Sequence, residues 1–479
     1  MLHLRASDLH YLSGDISITS LFRVGVIPNE LENLSKLEYL DLHQNSIDGK
    51  VPYQLGMLTR LKYLDIRENN LHGPILDEFG KVVNSLEVLD LESNRLQGIS
   101  GEKKNKIRVI SFFEYNIAQC KAMEETIKNP SGTSLLVPSI QELAKKNLST
   151  IPQRYTQPQH EDLVLISEDV NSILEIPVID MQSLLSEESG SSELDKLNLA
   201  CKQWGFFQLI NHSVSPSLVE KVKLEVQDFF NLPMSEKKKF WQSPQHMEGF
   251  GQAFVVSEDQ KLDWGDLFFM TTLPKHLRMP HLFPQLPLPF RKTLELYSQE
   301  LINLAMVVIE QMGKALKMEE TEIREIFEDG IQSMRMNYYP PCPQPEKAIG
   351  LTPHSDGGGL TILLQVSEVE GLQVRKDGMW IPVKPLPNAF IVNIGDMLEI
   401  ISNGIYRSVE HRAVVNTEKE RISFATFLTS KHDGMLGPAP SLITEETPAR
   451  FKKIELKEFL KNLFARKLDG KSYLDTLRI

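Results

Sequence analysis

The chain is short of cysteine: Cys120, Cys201 and Cys342 are the three in 479 residues, and they lie far apart. Three isolated cysteines rule out a disulfide framework and suit a reducing compartment. An excess of basic charge is also lacking. Fifty-two lysines and arginines stand against 64 aspartates and glutamates, giving a formal net charge of −12 at pH 7. Nucleic-acid binders ordinarily carry a basic face, so this balance argues against that class. Long hydrophobic runs are missing too. The most apolar helix candidate, Leu301 to Ile309, is halted by Glu310 and is too short to span a bilayer. The N-terminus, Met1 to Asp8, places charge where a signal peptide needs an apolar stretch. Together these absences lead us to expect a soluble, cytoplasmic protein with neither a membrane nor a nucleic-acid partner.

What is present begins with length. A chain of 479 residues with 41% apolar content can bury two or three cores. Between about residue 28 and residue 100 it repeats itself. Leu37-Glu-Tyr-Leu-Asp-Leu-His-Gln-Asn-Ser-Ile-Asp-Gly49 returns as Leu61 to Gly73 and again as Leu86 to Gly98, at offsets of 24 and 25 residues. This resembles the plant leucine-rich repeat, in which leucines face a shared core and asparagines form an internal ladder. Three repeats is close to the minimum for a solenoid, and no cysteine-bearing cap is visible. Two readings stay open: a short module that binds a protein ligand, or a fragment joined to an unrelated gene by fusion or mistaken gene prediction. Asn33 and Asn147 head formal glycosylation sequences that mean little without secretion. Residues 101 to 132 read as a junction, with Ile107 to Phe113 left as a strand or the remnant of a fourth repeat.

The chemistry concentrates further on. His354 and Asp356 stand two residues apart, just before a strand-like run. In extended backbone such residues project to one side. Ser408-Val-Glu-His411 follows, then Arg421-Ile-Ser423. A His-x-Asp pair with a distant histidine is the 2-His-1-carboxylate set that holds iron on one face and leaves the other open. Either piece alone reads as ordinary structure. Arg421 and Ser423 share one strand face, so a guanidinium and a hydroxyl converge where a carboxylate could sit.

The segments Arg335-Met-Asn-Tyr-Tyr-Pro-Pro-Cys342, His354-Ser-Asp356, Asn393-Ile-Gly-Asp396, Ser402-Asn-Gly-Ile-Tyr406, His411-Arg-Ala-Val and Arg421-Ile-Ser423 occur in one order over roughly residues 133 to 479. That region resembles the plant Fe(II)/2-oxoglutarate-dependent dioxygenases, in the senescence-related group that includes oxidative demethylases and flavonoid-pathway oxygenases. The resemblance implies a double-stranded β-helix, or jelly roll, with flanking helices. It implies Fe(II) on His354, Asp356 and His411, and 2-oxoglutarate held by Arg421 and Ser423 with help from Asn337 and Tyr339. No catalytic side chain is expected beyond the ligands, and ascorbate is a candidate reductant. The implied reaction consumes dioxygen and oxidises a small, aromatic plant metabolite by hydroxylation or O-demethylation, releasing succinate and carbon dioxide. A repeat-bearing binding protein with an inactive dioxygenase-like part, and a cupin of other chemistry, are the competing readings; the complete triad and Arg421 speak against both.

The expected domains are 1–100 repeats, 101–132 junction, 133–328 the dioxygenase's N-terminal region, 329–430 the jelly-roll core and 431–479 a C-terminal helical segment. Strands are predicted at 334–339, 360–366, 372–375, 380–383, 390–394, 411–415 and 422–428. Further strands are expected over 175–180 and 204–212, and helices over 194–203, 217–230, 289–318 and 457–467. His212 reads as structural, and Ser213 occupies a position where the family usually has glycine. Lys237 to Lys239 read as a solvated helix face. Asn393, Gly395 and Asp396 read as scaffold, and Tyr338 as packed away from the site. Phe424 and Phe427 are expected to be part core and part pocket edge. The aromatic stretches 249–256 and 263–269 fit core and pocket equally well.

Overall fold

The computed structural model describes residues 137–146, 148–157, 175–242, 248–252, 255, 260–319, 321–431, 434–464 and 471–479, with the repeat strands and scattered neighbours between residues 16 and 97. The junction 101–132 with its Ile107–Phe113 strand, the asparagines Asn33 and Asn147, Cys120, and the end of the C-terminal helix at 465–467 lie outside the described residues. The chain divides into two compact units, Met1–Met123 and Glu124–Ile479.

In the first unit the repeats stack through parallel strands. Tyr39–Asp41 pairs with Tyr63–Asp65, which pairs with Val88–Asp90, each residue facing its counterpart one repeat on. Leu40, Leu42, Leu64, Ile66 and Leu71 are buried beneath them. Asn69 makes the ladder: its Nδ2 donates to Leu42 O at 2.9 Å and Ile66 O at 3.1 Å, and its Oδ1 accepts from Ile47 N at 3.1 Å. One side chain thereby serves three backbone groups that turning chain would otherwise leave unpaired. This is a leucine-rich-repeat solenoid.

The second unit is built on two sheets. Its strands are β1 (Val178–Asp180), β2 (Phe206–Ile210), β3 (Gly249–Gly251), β4 (Asp266–Leu273), β5 (Gly330–Tyr339), β6 (Leu351–His354), β7 (Leu360–Gln365), β8 (Leu372–Lys376), β9 (Met379–Pro382), β10 (Phe390–Ile394), β11 (His411–Ala413) and β12 (Arg421–Lys431). The larger sheet runs β3-β4-β5-β12-β7-β10-β2-β1, and the smaller runs β6-β11-β8-β9. All pairs are antiparallel except the edge pair β1 and β2. Pro177, which cannot donate to a ladder, immediately precedes the edge strand β1, as its chemistry requires.

Alternation along the large sheet sorts its side chains. Met334, Met336 and Tyr338 of β5, Ile422 and Phe424 of β12, Leu360, Ile362 and Leu364 of β7 and Val392 of β10 face one way, into the main core. There they meet α3 (Pro216–Asn231) and α4 (Leu288–Ala315), numbered after the short α1 (Ile140–Ala144) and α2 (Gly190–Gln203). The 28 residues of α4 bury Leu294, Tyr297, Leu301, Leu304, Val308 and Met312, the three- and four-residue spacing that a single helix face requires. The helix stops where Lys317 turns left-handed at φ 59°. Residues of the opposite parity face the small sheet, and Phe206, Leu372, Val374, Val383 and Ile391 pack between the two sheets. The result is the jelly roll.

Each strand predicted in the core region exists, with ends shifted by a few residues, and β10 matches at both ends. Strand β4 was not predicted as one, and Pro177 stands outside β1. Among the lysines one expectation fails. Lys238 and Lys239 are exposed, but Lys237 is wholly buried, donating to Phe230 O at 2.8 Å and to Gln141 Oε1. A lysine at the turn after α3 caps the helix's last carbonyls rather than facing water. Ser213 adopts φ 62°, the left-handed conformation that glycine takes without strain. His212 is buried against Phe390, with Nε2 3.1 Å from Asn388 O, and is structural as expected.

One half-buried acid predicts a pH effect. Burial pushes the Glu248 carboxyl up to about 7, although Thr271 N and Oγ1 donate to it at 2.7 and 2.9 Å. A raised folded pKa means the native state holds the proton more tightly, so the stability this group contributes is greatest below about 4.5 and falls as pH rises towards 7. Glu248→Gln should remove that fall, a difference of roughly 3 kcal/mol between pH 4.5 and 7.5. Urea denaturation of both proteins across that range checks it.

Candidate active site

Three side chains meet here, two from strands of the small sheet and one from the turn that follows the first of them. His354 ends β6, His411 begins β11, and the two pair across the ladder with ring centroids 4.4 Å apart. Asp356 lies two residues past His354, beyond the end of β6 rather than in extended strand, and still turns its carboxylate to the same place. Its Oδ1 is 3.6 Å from His354 Nε2 and 3.7 Å from His411 Nε2. The ligand atoms of the three all lie within 4.8 Å of one another, and all three residues are buried. Among the described residues no other trio of this kind could hold a metal ion.

The surroundings orient each donor. His354 Nδ1 lies 2.8 Å from Thr352 O and His411 Nδ1 lies 3.2 Å from Val409 O. Donating Nδ1–H to these carbonyls leaves both Nε2 lone pairs facing Asp356 Oδ1. Asp356 Oδ2 accepts from Thr361 Oγ1 at 2.6 Å and Asn393 Nδ2 at 2.8 Å, so Oδ1 is the atom left for a ligand. Burial works to raise the Asp356 carboxyl, but the charge of His411, the hydrogen bond and charge of His354, and Asn393 outweigh it and hold it well below the carboxylate range. Burial, and then the charge of His354, push His411 down to about 4. A neutral His411 imidazole and an ionised Asp356 carboxylate at ordinary pH are protonation states a metal needs. The donors fit a divalent iron.

The second cluster lies on β5 and β12. Tyr339 faces Arg421 and Asn337 faces Ser423 across the ladder, so all four project to the same side. Asn337 Nδ2 reaches Ser423 Oγ at 3.4 Å, and Arg335 Nε donates to Asn337 Oδ1 at 2.6 Å. Arg421 is 2% exposed. Its Nη2 donates to Gln365 Oε1 at 3.0 Å and its guanidinium lies 5.4 Å from the Tyr339 ring centroid. Its Nε has no hydrogen-bond partner, and no carboxylate pairs with it among the described residues. Burial lowers its pKa. A buried guanidinium without a counter-ion is costly unless something anionic completes it. Gly371 makes room: a Cβ there would meet Arg421 Cδ at 2.8 Å.

The remaining expectations divide by strand parity. Tyr338 packs in the main core beside Phe230 at 5.0 Å, with its hydroxyl on Glu420. Phe424 is entirely core, stacked on Tyr297 at 5.7 Å, so its share of the pocket edge is withdrawn. Phe427 faces the other way, half-buried, with its ring 6.4 Å from that of Phe269. Trp264 and Phe268 are core, and Phe269 is not. Asp396 is scaffold: it opens α5 (Asp396–Ile401), and its backbone N–H donates to Asp356 O at 2.7 Å. Gly395 allows that approach, since a Cβ there would meet Gly358 O at 2.1 Å. Asn393 does more than scaffold work, and Thr361 and Gln365 were missed altogether. All three lie on strand faces that alternation alone turns towards the site. Thr361→Ala and Asn393→Ala should each lower metal affinity about 10- to 100-fold, read by anaerobic Co(II) titration of the apoprotein.

Comparison with known proteins agrees with this geometry. Residues 330–430 match the 2OG-Fe(II) oxygenase superfamily and residues 176–286 the non-haem dioxygenase in morphine synthesis N-terminal family. Residues 36–58 and 60–82 match the Leucine Rich Repeat. Protein SRG1 of Arabidopsis thaliana is 59% identical over 350 residues, covering 72% of this chain and 98% of the relative. Oxoglutarate-dependent flavonoid 7-O-demethylase 1 of Ocimum basilicum is 54% identical over 384 residues, 80% of this chain and 98% of its own. Codeine O-demethylase of Papaver somniferum is 56% identical over 360 residues, 74% of this chain and 100% of its own. The crystal structure of JOX2 in complex with 2OG, Fe and JA superposes with a TM-score of 0.65 at 36% identity, over 72% of this chain and 98% of that one. With relatives matched over nearly their full length, this chain belongs to the 2OG-Fe(II) oxygenase superfamily and is an Fe(II)- and 2-oxoglutarate-dependent dioxygenase that also carries leucine-rich repeats.

Proposed function

We propose that the enzyme removes an O-methyl group from, or hydroxylates, a small aromatic plant metabolite of the flavonoid or alkaloid kind, with His354, Asp356 and His411 holding the iron. Iron and 2-oxoglutarate, when bound, supply the activation of dioxygen. The chain's residues do the holding. Arg421 takes the far carboxylate of 2-oxoglutarate through its free Nε, and Ser423 adds a hydroxyl. Asn337 and Tyr339 border the same space, with Arg335 tied to Asn337. The observation that carries this reading is the buried, carboxylate-free Arg421 guanidinium on the sheet face whose Thr361 and Asn393 bond Asp356. The half-buried pair Phe269 and Phe427, on the same sheet face as Arg335 and Ser423, offers a flat apolar wall. The names of the flavonoid and codeine demethylases support an aromatic methyl ether. Demethylation balances as methyl ether plus dioxygen plus 2-oxoglutarate giving free hydroxyl, formaldehyde, succinate and carbon dioxide.

The test is a panel of methoxylated flavones and O-methylated alkaloids, with formaldehyde and succinate measured together. Equal amounts of both establish demethylation, whereas succinate with a product heavier by one oxygen establishes hydroxylation. Iron-loaded enzyme that produces neither on any aromatic substrate would move the search to aliphatic acids. The free, buried thiols Cys201 and Cys342 suit the cytoplasmic placement we also propose, and a fluorescent fusion expressed in leaf cells tests it.

A further inference from the structure

The two histidines share a strand ladder, yet the ladder's own register would not bring them together. At one end Leu351 of β6 pairs with Ala413 of β11, and at the other His354 pairs with His411. Three steps along β6 therefore match two along β11, and the register shifts between these pairs. An unbroken antiparallel register from Leu351 would set Pro353 opposite His411. His354 would then lie on the other face of the sheet, because a shift of one residue reverses every side chain. The extra residue, a β-bulge at Thr352 and Pro353, is what delivers His354 to the site.

A bulge leaves backbone groups without ladder partners. Pro353 has no N–H to lose. The Thr352 N–H goes outside the sheet, donating to Asp263 Oδ2 at 3.2 Å, while Thr352 Oγ1 donates to Asp263 Oδ1 at 2.6 Å. The same threonine's carbonyl receives His354 Nδ1 at 2.8 Å. Asp263 is itself fixed, because the next residue, Trp264, is buried and its N–H donates to Ile349 O at 2.7 Å. We infer that Asp263 is a positioning residue for the iron site: its carboxylate clamps the bulge at Thr352, and the clamped bulge sets both the face and the tautomer of His354. Asp263 touches no ligand atom. It acts through Thr352, one backbone segment removed from the metal.

The inference rests on His354 being an iron ligand, and the experiment separates the two claims. Co(II) is titrated anaerobically into apoprotein in the absence of 2-oxoglutarate and substrate, with visible absorption as readout and circular dichroism to check folding. Variants are His354→Ala, Asp263→Ala, Asp263→Asn and Thr352→Val. Asp263→Asn can still accept from Thr352 N–H and donate its amide to Thr352 Oγ, so it should stay within about threefold of wild type, whereas Asp263→Ala should weaken Co(II) about 10- to 100-fold. Thr352→Val, which loses the hydroxyl alone, should fall between them, and it decides the matter if Asp263→Ala does not fold. A lower melting temperature with unchanged Co(II) affinity in both Asp263→Ala and Thr352→Val would make the clamp merely structural and overturn the inference. If His354→Ala binds Co(II) as well as wild type does, the ligand assignment itself fails.

Discussion

His411→Ala should abolish turnover and strip the protein of iron. Loss of an outer hydrogen-bond partner costs about 10- to 100-fold in metal affinity, so losing a donor outright should cost roughly 10³-fold or more on the same scale. The readout is the visible absorption of the iron–2-oxoglutarate chelate under anaerobic conditions, which should be absent at metal concentrations that saturate wild type. A pH signature accompanies it. His411 is held near 4 in the folded apoprotein while an ordinary histidine titrates at 6.5, so unfolded chain takes up the proton first as pH falls. Wild-type apoprotein therefore loses stability between about pH 6.5 and 4, the sign opposite to that of Glu248. The His411→Ala apoprotein should lack this loss. Retained chelate absorption in a folded variant would remove His411 from the ligand set.

Arg421 should separate binding from stability. Truncating one partner of a buried charge pair costs about 2–5 kcal/mol, or roughly 30- to several-thousand-fold in affinity. Arg421→Met should raise the 2-oxoglutarate concentration needed for half-saturation by that factor while iron still binds. The apoprotein should not suffer equally. In wild type the guanidinium is buried with Gln365 and the Tyr339 side chain as polar partners and no carboxylate beside it among the described residues, so replacing it with an apolar side chain of similar length relieves a desolvated charge. The melting temperature of Arg421→Met apoprotein should equal or exceed that of wild type. Saturating 2-oxoglutarate should then stabilise wild type and leave the variant unmoved, since a ligand at about 100 times its Kd adds about 2.7 kcal/mol. A variant that keeps wild-type 2-oxoglutarate affinity would displace Arg421 from the cosubstrate site.

Much of this site was legible because it is written in short-range rules. Arg421 and Ser423 are neighbours on one strand face, and Arg335, Asn337 and Tyr339 alternate on β5, so their grouping follows from backbone geometry. His354-x-Asp356 shows itself by the same spacing rule, although Asp356 reaches the site from just past the end of β6. The core strands showed themselves by apolar residues between Gly, Pro and Asn breakers. What stayed hidden depends on distant chain. Nothing local says that Asn393 reaches Asp356, 37 residues away, or that Asp263 holds Thr352, 89 residues away. Lys237 looks like its two neighbours until α1 brings Gln141 over it. The bulge in β6 is invisible for the same reason: register belongs to a pair of strands, and a single strand's sequence does not state it.

The parity of the large sheet has a consequence for how such an enzyme can change. On β5 and β12 neighbouring residues belong to different environments: Met336 and Phe424 to a filled interior, Arg335 and Phe427 to the chamber. A new substrate preference can then be acquired one residue at a time at chamber positions such as Leu267, Phe269, Ser333, Ala425 and Phe427, without reopening the packing behind them. Directed evolution confined to those five positions should yield libraries that remain largely folded, and the same mutational load placed one residue along each strand should not.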